Sequence, residues 1–253
     1  MDELNLLIDL HVGADRQGPG DAAQTRKAIA LAGLSPASQL KVADIGCGTG
    51  ASTMVLAQDL RSQIVAVDTL PEFLGALRSR AERAGLSDRI TTMSASMDSL
   101  PFEDGSLDVM WSEGAIYNIG FANGVRQWRR FLKPGGLLAV SELTWLTARR
   151  PIELEEHWRA QYAEVATASS KMDVLERAGY EPVGYFVLPE HCWIDAYYRP
   201  MQRRFPAFLE RHGSSEAAKA VVAAEVLEID LYECFRRFVS YGFYIARKID
   251  DGP

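Results

Sequence analysis

The stretch Val42-Ala43-Asp44-Ile45-Gly46-Cys47-Gly48-Thr49-Gly50 constrains this chain more than any other. A short apolar strand runs into three glycines at alternate positions, and a helical pattern follows. Glycine accepts positive φ and carries no Cβ, so the backbone can turn sharply and touch a ligand. At the carboxyl end of a parallel strand such a turn makes a cofactor seat. The spacing is G-x-G-x-G, whereas the dinucleotide fingerprint is G-x-G-x-x-G. Starting the frame at Gly48 puts Thr53 where that fingerprint needs Gly or Ala, and no Gly-Lys-Ser/Thr completes a Walker phosphate loop.

Strand and helix patterns alternate from there on. Lys41–Ile45, Gln63–Asp68, Ile90–Ala95, Leu107–Trp111 and Leu137–Leu143 read as strands, with helical segments between them. Two more strands are read at Glu181–Leu188 and Gly242–Lys248. This alternation predicts an α/β fold, a mostly parallel sheet with helices on both faces. Asp68 ends the second strand about 20 residues after the glycine turn, where an acid can accept hydrogen bonds from ribose hydroxyls. The roughly 50 residues before the last strand are rich in aromatics and too long for a plain loop, so they must hold helices. The stripe Val222, Val226, Ile229 and Tyr232 is read as core.

At 253 residues with a formal charge of −7, the chain suits one large α/β domain, and the acidic balance argues against nucleic acid as partner. No apolar run reaches the ~18 residues of a membrane span. The acidic start Met1-Asp2-Glu3 lacks the basic n-region of a signal peptide. Three scattered cysteines, Cys47, Cys192 and Cys234, argue against a disulfide framework and against a zinc site, so no metal is expected and a reducing cytoplasm is the expected home.

Asp44-Ile45-Gly46-Cys47-Gly48-Thr49-Gly50 resembles the first motif of the class I S-adenosylmethionine-dependent methyltransferases. Leu100-Pro101-Phe102 and Lys133-Pro134-Gly135-Gly136 are similar to further features of the small-molecule branch, the type 11 or ubiquinone-biosynthesis-like enzymes. Ser112–Asn118 resembles a bacterial subgroup of unknown substrate. The resemblance implies a Rossmann-like sheet of seven strands in the order 3-2-1-4-5-7-6, the last strand antiparallel, with a helical insertion between the last two. It implies a single domain over 1–253: an N-terminal helical cap at 1–38, a cofactor-binding core at 39–144, and a rear half at 145–253 with a lid at about 189–241.

The same resemblance implies S-adenosylmethionine as methyl donor and S-adenosylhomocysteine as product. Arg16, Gln17 and Gly18 would cap the methionine end, since Arg can grip a carboxylate with two hydrogen bonds. Asp44, Gly46, Cys47, Gly48 and Gly50 form the loop, and Asp68, Thr69 and Phe73 belong to the ribose side. Ser96, Met97 and Asp98 lie at the adenine; the family's acid falls on Ser96, leaving Ser96 and Asp98 both open. Ser112 and Glu113 lie where the fourth strand passes the sulfonium. Glu113 has two readings, a structural acid or a general base that orients the acceptor, with Tyr117 and His191 in reserve. Tyr117, Asn118, Glu142, Trp145, His191 and Trp193 are the expected acceptor contacts. The expected reaction is methyl transfer to a small molecule. An RNA or protein methyltransferase and a non-catalytic S-adenosylmethionine-binding protein are the alternatives; the first lacks the Asn-Pro-Pro-Tyr type of sequence after strand four. The oligomeric state stays open, a homodimer among the options.

Overall fold

The computed structural model describes residues 3–36 and 39–250. Met1 and Asp2 of the expected cap, and Ala37 and Ser38 at its border with the core, lie outside the described residues. The chain opens with helices α1 (Glu3–His11) and α2 (Ala22–Leu31). The core then alternates β1 (Lys41–Ile45), α3 (Ala51–Leu60), β2 (Gln63–Asp68), α4 (Pro71–Arg83), β3 (Ile90–Ser94), β4 (Leu107–Glu113), α5 (Phe121–Trp128) and β5 (Leu132–Trp145). The rear half runs α6 (Ile152–Gln161), β6 (Ala166–Thr167), α7 (Ala168–Arg177), β7 (Tyr180–Val187), α8 (Glu190–Trp193), α9 (Arg199–Gln202), α10 (Phe205–Arg211), α11 (Glu216–Phe235) and β8 (Val239–Lys248).

The sheet order is β3-β2-β1-β4-β5-β8-β7, with β8 antiparallel to both neighbours. This is the expected order, renumbered because the two-residue β6 adds a strand beside β5. Central β1 is buried from Val42 onward, as a strand covered on both faces must be. Chain direction across the sheet reverses between β1 and β4, and ligands of open α/β sheets bind in the crevice at such a switch point. Lys133–Gly136, ahead of the strand read at Leu137–Leu143, is absorbed into β5: the β4–β5 register shifts between Leu107 and Val109, and Gly135 takes φ +73 in the bulge.

The N-terminal helices hold to the rear half as well as to the core. Leu6 and Leu10 of α1 are buried. Asp9 accepts from Arg211 at 2.7 Å and pairs with His212 at 2.9 Å beyond α10, while Arg204 donates to the Leu10 carbonyl at 3.1 Å. Asp21 caps α2 by accepting from Gln24 N at 2.8 Å. Its other oxygen takes His191 Nε2 at 2.7 Å and Cys192 Sγ at 3.6 Å, tying the cap to α8. Among the described residues, no helix is long and apolar enough to cross a membrane.

The stripe expected along α11 needs correction. Ala218, Val221, Ile229 and Tyr232 are its buried residues, whereas Val226 is exposed. Glu225 and Glu228 take the intervening inward positions and are half-buried.

Candidate active site

The glycine loop leaves β1 with its backbone held by the next strand: Gly46 N and Cys47 N donate to the Val67 carbonyl at 2.8 and 3.0 Å. Gly46 and Gly48 have φ of +70 and +54, a region that side chains rarely adopt. A Cβ on Gly46 would lie 2.4 Å from Ala115 Cβ, and one on Gly48 would lie 2.2 Å from Gln17 Oε1. Gly50 starts α3 and faces Leu77 at 2.1 Å from a hypothetical Cβ, so its role is packing rather than lining.

A cavity of about 470 Å³ opens over this loop. Its wall takes in Arg16, Gln17, Gly18, Gly46, Cys47, Gly48, Asp68, Thr69, Phe73, Ser96, Met97, Asp98 and Glu113, all expected at a cofactor, together with Tyr117 and Asn118. Asp68 accepts from Gly48 N and Leu70 N, both at 2.9 Å, which fixes its carboxylate at the strand end. Trp128 Nε1 donates to the Met97 carbonyl at 2.9 Å and holds the Ser96–Asp98 loop. Gln17 bridges the N-terminal segment to the glycine loop, accepting from Thr49 N at 2.9 Å and donating to Thr49 Oγ1 at 3.0 Å.

Asp44 is not on this wall. It is buried behind the loop, where Oδ2 accepts from Ser52 at 2.8 Å and Thr53 at 2.6 Å. Its second oxygen, Oδ1, is buried without a partner, and burial pushes the carboxyl up to about 7. Ser112 is also behind the wall and fully buried, because strand alternation turns it away from Trp111 and Glu113. The Cys47 thiol is pushed up by burial, so it is a wall group rather than a nucleophile.

Glu113 lines the cavity, but its carboxylate is committed. Oε2 accepts from Arg16 Nη1 at 3.0 Å, while Oε1 accepts from Thr25 Oγ1 at 2.7 Å and Trp111 Nε1 at 3.0 Å. The group is nearly buried, with a side-chain exposure of 7%. Arg16, Thr25 and Trp111 occupy both oxygens, so the geometry argues for holding Arg16 rather than for general-base work.

A second cavity of about 180 Å³ continues from the first, and the two share Gln17, Gly18, Pro19, Gly114 and Tyr117. Its own wall is Leu143, Trp158, Gln161, Tyr162, Trp193, Tyr197, Glu228 and Tyr241. Gly114, at φ +63, lets the Tyr241 ring reach the junction, where a Cβ would be 2.7 Å from it. Trp193 stacks on Tyr232 at 4.4 Å and donates to Ser240 Oγ at 2.9 Å. Tyr117 packs on Tyr162 with ring centres 5.9 Å apart.

Three expected acceptor residues line neither cavity. His191 is half-exposed and paired with Asp21, turned away from both. Trp145 is buried under the Arg150 guanidinium, 4.4 Å over its ring. Glu142 is buried 3.7 Å from Lys171, where burial pushes the carboxyl up and the ammonium down. β5 runs two residues further than expected, so both residues leave it as core rather than at the rim. Sequence reasoning missed Gln161, Glu228 and Tyr241; the only signal was a pair of acids on the inward face of an otherwise amphipathic helix.

Known proteins share this sequence segment and this fold. A family described as "Methyltransferase domain" matches residues 42–136, from β1 through the bulge of β5. Residues 42–136 are thus similar to a methyltransferase domain. The chain is 26% identical over 182 residues to 27-O-demethylrifamycin SV methyltransferase of Amycolatopsis mediterranei, an alignment covering 69% of this chain and 67% of that one. Several other curated relatives are longer, and the chain spans 41% or less of their length. In fold it is similar to a methyltransferase from Geobacter sulfurreducens solved with S-adenosyl-L-homocysteine, at TM-score 0.82 and 20% identity, over 96% of this chain and 97% of that one. It is similar also to the [4+2]-cyclase SpnF, at TM-score 0.75 and 22% identity, over 97% and 92% of the two chains. The residues present fit S-adenosylmethionine as a ligand: a glycine cradle that any Cβ would fill, and an orphaned carboxylate oxygen on Asp44 behind it.

Proposed function

We propose that this chain transfers the methyl group of S-adenosylmethionine to a small molecule seated in the second cavity. The single observation that carries this reading is the pair of joined cavities, one over the glycine loop and one walled by the rear half, meeting at Gly114 and Tyr117. When bound, S-adenosylmethionine supplies an electrophilic methyl group and leaves as S-adenosylhomocysteine, the C–S bonding pair staying on sulfur.

The protein's residues bind, orient and exclude water. Arg16, aimed by Glu113, and the Gln17-Gly18 backbone hold the methionine end. Gly46, Cys47 and Gly48 let the backbone approach the donor. Asp68 holds the ribose, and the Ser96–Asp98 loop with Phe73 encloses the base. Asp44 acts from behind the loop through its free oxygen toward the donor's ammonium. Tyr117, on the wall of both cavities, orients the acceptor. The division into a cap at 1–38, a core at 39–144 and a rear half at 145–253 with its lid at 189–241 follows these roles. A reducing cytoplasm suits three free thiols, two of them buried.

Calorimetry with S-adenosylhomocysteine tests the donor site. Incubation with isotope-labelled donor and a metabolite extract, read by mass spectrometry, tests transfer. Binding together with a labelled small product is expected; absence of S-adenosylhomocysteine binding would sink the reading.

A further inference from the structure

The second cavity has a chemistry of its own. Its walls are aromatic on nearly every side: Trp158, Tyr162, Trp193, Tyr197 and Tyr241, with Tyr117 at the mouth. Among the described residues, no lysine or arginine lines it. Its one ionisable acid is Glu228, whose Oε1 accepts from Tyr198 Oη at 2.9 Å. No ion pair among the described residues reaches Glu228; the nearby His11 pairs instead with Glu225, at 3.6 Å. Two acids therefore stand on the inward face of α11 at positions where a helix of this pattern carries apolar residues. A local rule broken in this way marks a functional site more often than an accident.

A half-buried carboxylate set among rings without a cationic partner is unfavourable unless something positive comes to it. Aromatic faces around a desolvated cavity attract cations through the ring quadrupole and repel anions. We infer that the methyl acceptor is a small amine, received as its ammonium ion between the aromatic walls and Glu228. This rests on the methyl-transfer reading above and names its substrate class. Burial and the neighbouring Glu225 push the Glu228 carboxyl up to about 7, which suits a group that takes a proton and gives it back. The ammonium passes one proton to the Glu228 carboxylate; the freed nitrogen lone pair forms the new N–C bond as the methyl's C–S bond breaks, with its electron pair left on sulfur. Glu228 then releases the proton to water. The cavity's modest size, about 180 Å³, limits the acceptor's head to a few heavy atoms.

The test uses probes that cannot themselves be methylated at nitrogen. Choline and its neutral isostere 3,3-dimethylbutan-1-ol are titrated into the full chain saturated with S-adenosylhomocysteine, read by calorimetry and by the fluorescence of Trp158 and Trp193. Choline should bind at least about tenfold tighter than the isostere. Glu228→Gln should weaken choline by about tenfold or more and leave S-adenosylhomocysteine binding within about twofold. Equal binding of choline and isostere by the unaltered chain would overturn the amine inference, whether or not the variant folds. S-adenosylhomocysteine binding without choline binding sinks this inference alone. No S-adenosylhomocysteine binding sinks the methyl-transfer reading beneath it.

Discussion

The two cavities are built by different means. The first is largely a backbone site: its wall is mostly turns at the ends of β1, β2, β3 and β4, and its chemistry lies in peptide groups, the glycines Gly46 and Gly48, and the strand-end acids Asp68 and Glu113. The second is a side-chain site: its wall is rings and one carboxylate drawn from α6, α8, α11 and β8, segments far apart in sequence. A backbone site depends on conformations that few residues can adopt. A side-chain site can be repacked while the fold persists. One fold can therefore keep a donor seat and change its acceptor.

The sharpest break of this contrast is Gly46→Val. It forces a side chain against Ala115 and onto a positive φ, so S-adenosylhomocysteine binding should fall at least about a hundredfold by calorimetry. Choline binding should survive; joint loss would mean that the cavities are one site. Trp193→Ala attacks the other side. Removing a buried, stacked indole should cost roughly 3–5 kcal/mol by chemical denaturation and weaken acceptor probes, while donor binding at a temperature that preserves the fold stays within about twofold.

Glu113→Gln comes next. If Glu113 aims Arg16, donor affinity should drop by about tenfold while turnover at saturating donor is nearly kept. A large fall in kcat with unchanged donor affinity would restore it as a base.

The pH dependence of stability is smaller. Burial raises the carboxyls of Asp44, Glu142 and Glu228 from ordinary values near 4 to about 7. Between those limits the folded chain keeps protons that the unfolded chain has lost. Stability is therefore full below the ordinary range, declines as pH rises through about 7, and levels above it. Thermal melts should show a lower Tm near pH 7.5 than near pH 5, and Glu228→Gln should flatten part of that slope. A Tm that rises over this interval would contradict it. The least effect belongs to His191→Ala, an exposed residue outside both cavities: transfer should stay within about twofold, with stability lost by under ~1 kcal/mol.

The same contrast explains what could be read in advance. The place of Gly46, Gly48, Asp68 and Ser96–Asp98 on the first cavity was legible because each stands at a strand end. Gln17 was legible through its glycine-rich surroundings. Glu142 and Trp145 misled because closeness to the end of β5 says nothing about which way a side chain packs once that strand is longer than expected. His191 misled because a lone histidine carries no direction in sequence. Tyr241 and Glu228 were hidden: one sits inside an apolar strand, the other resembles a solvated helix position, and only the fold brings them together.

Gln17, Gly18 and Pro19 form part of the wall of both cavities. On the proposed reading, one short loop is a side of both the donor space and the acceptor space. A substitution there should disturb both ligands, where one in α11 touches a single chamber.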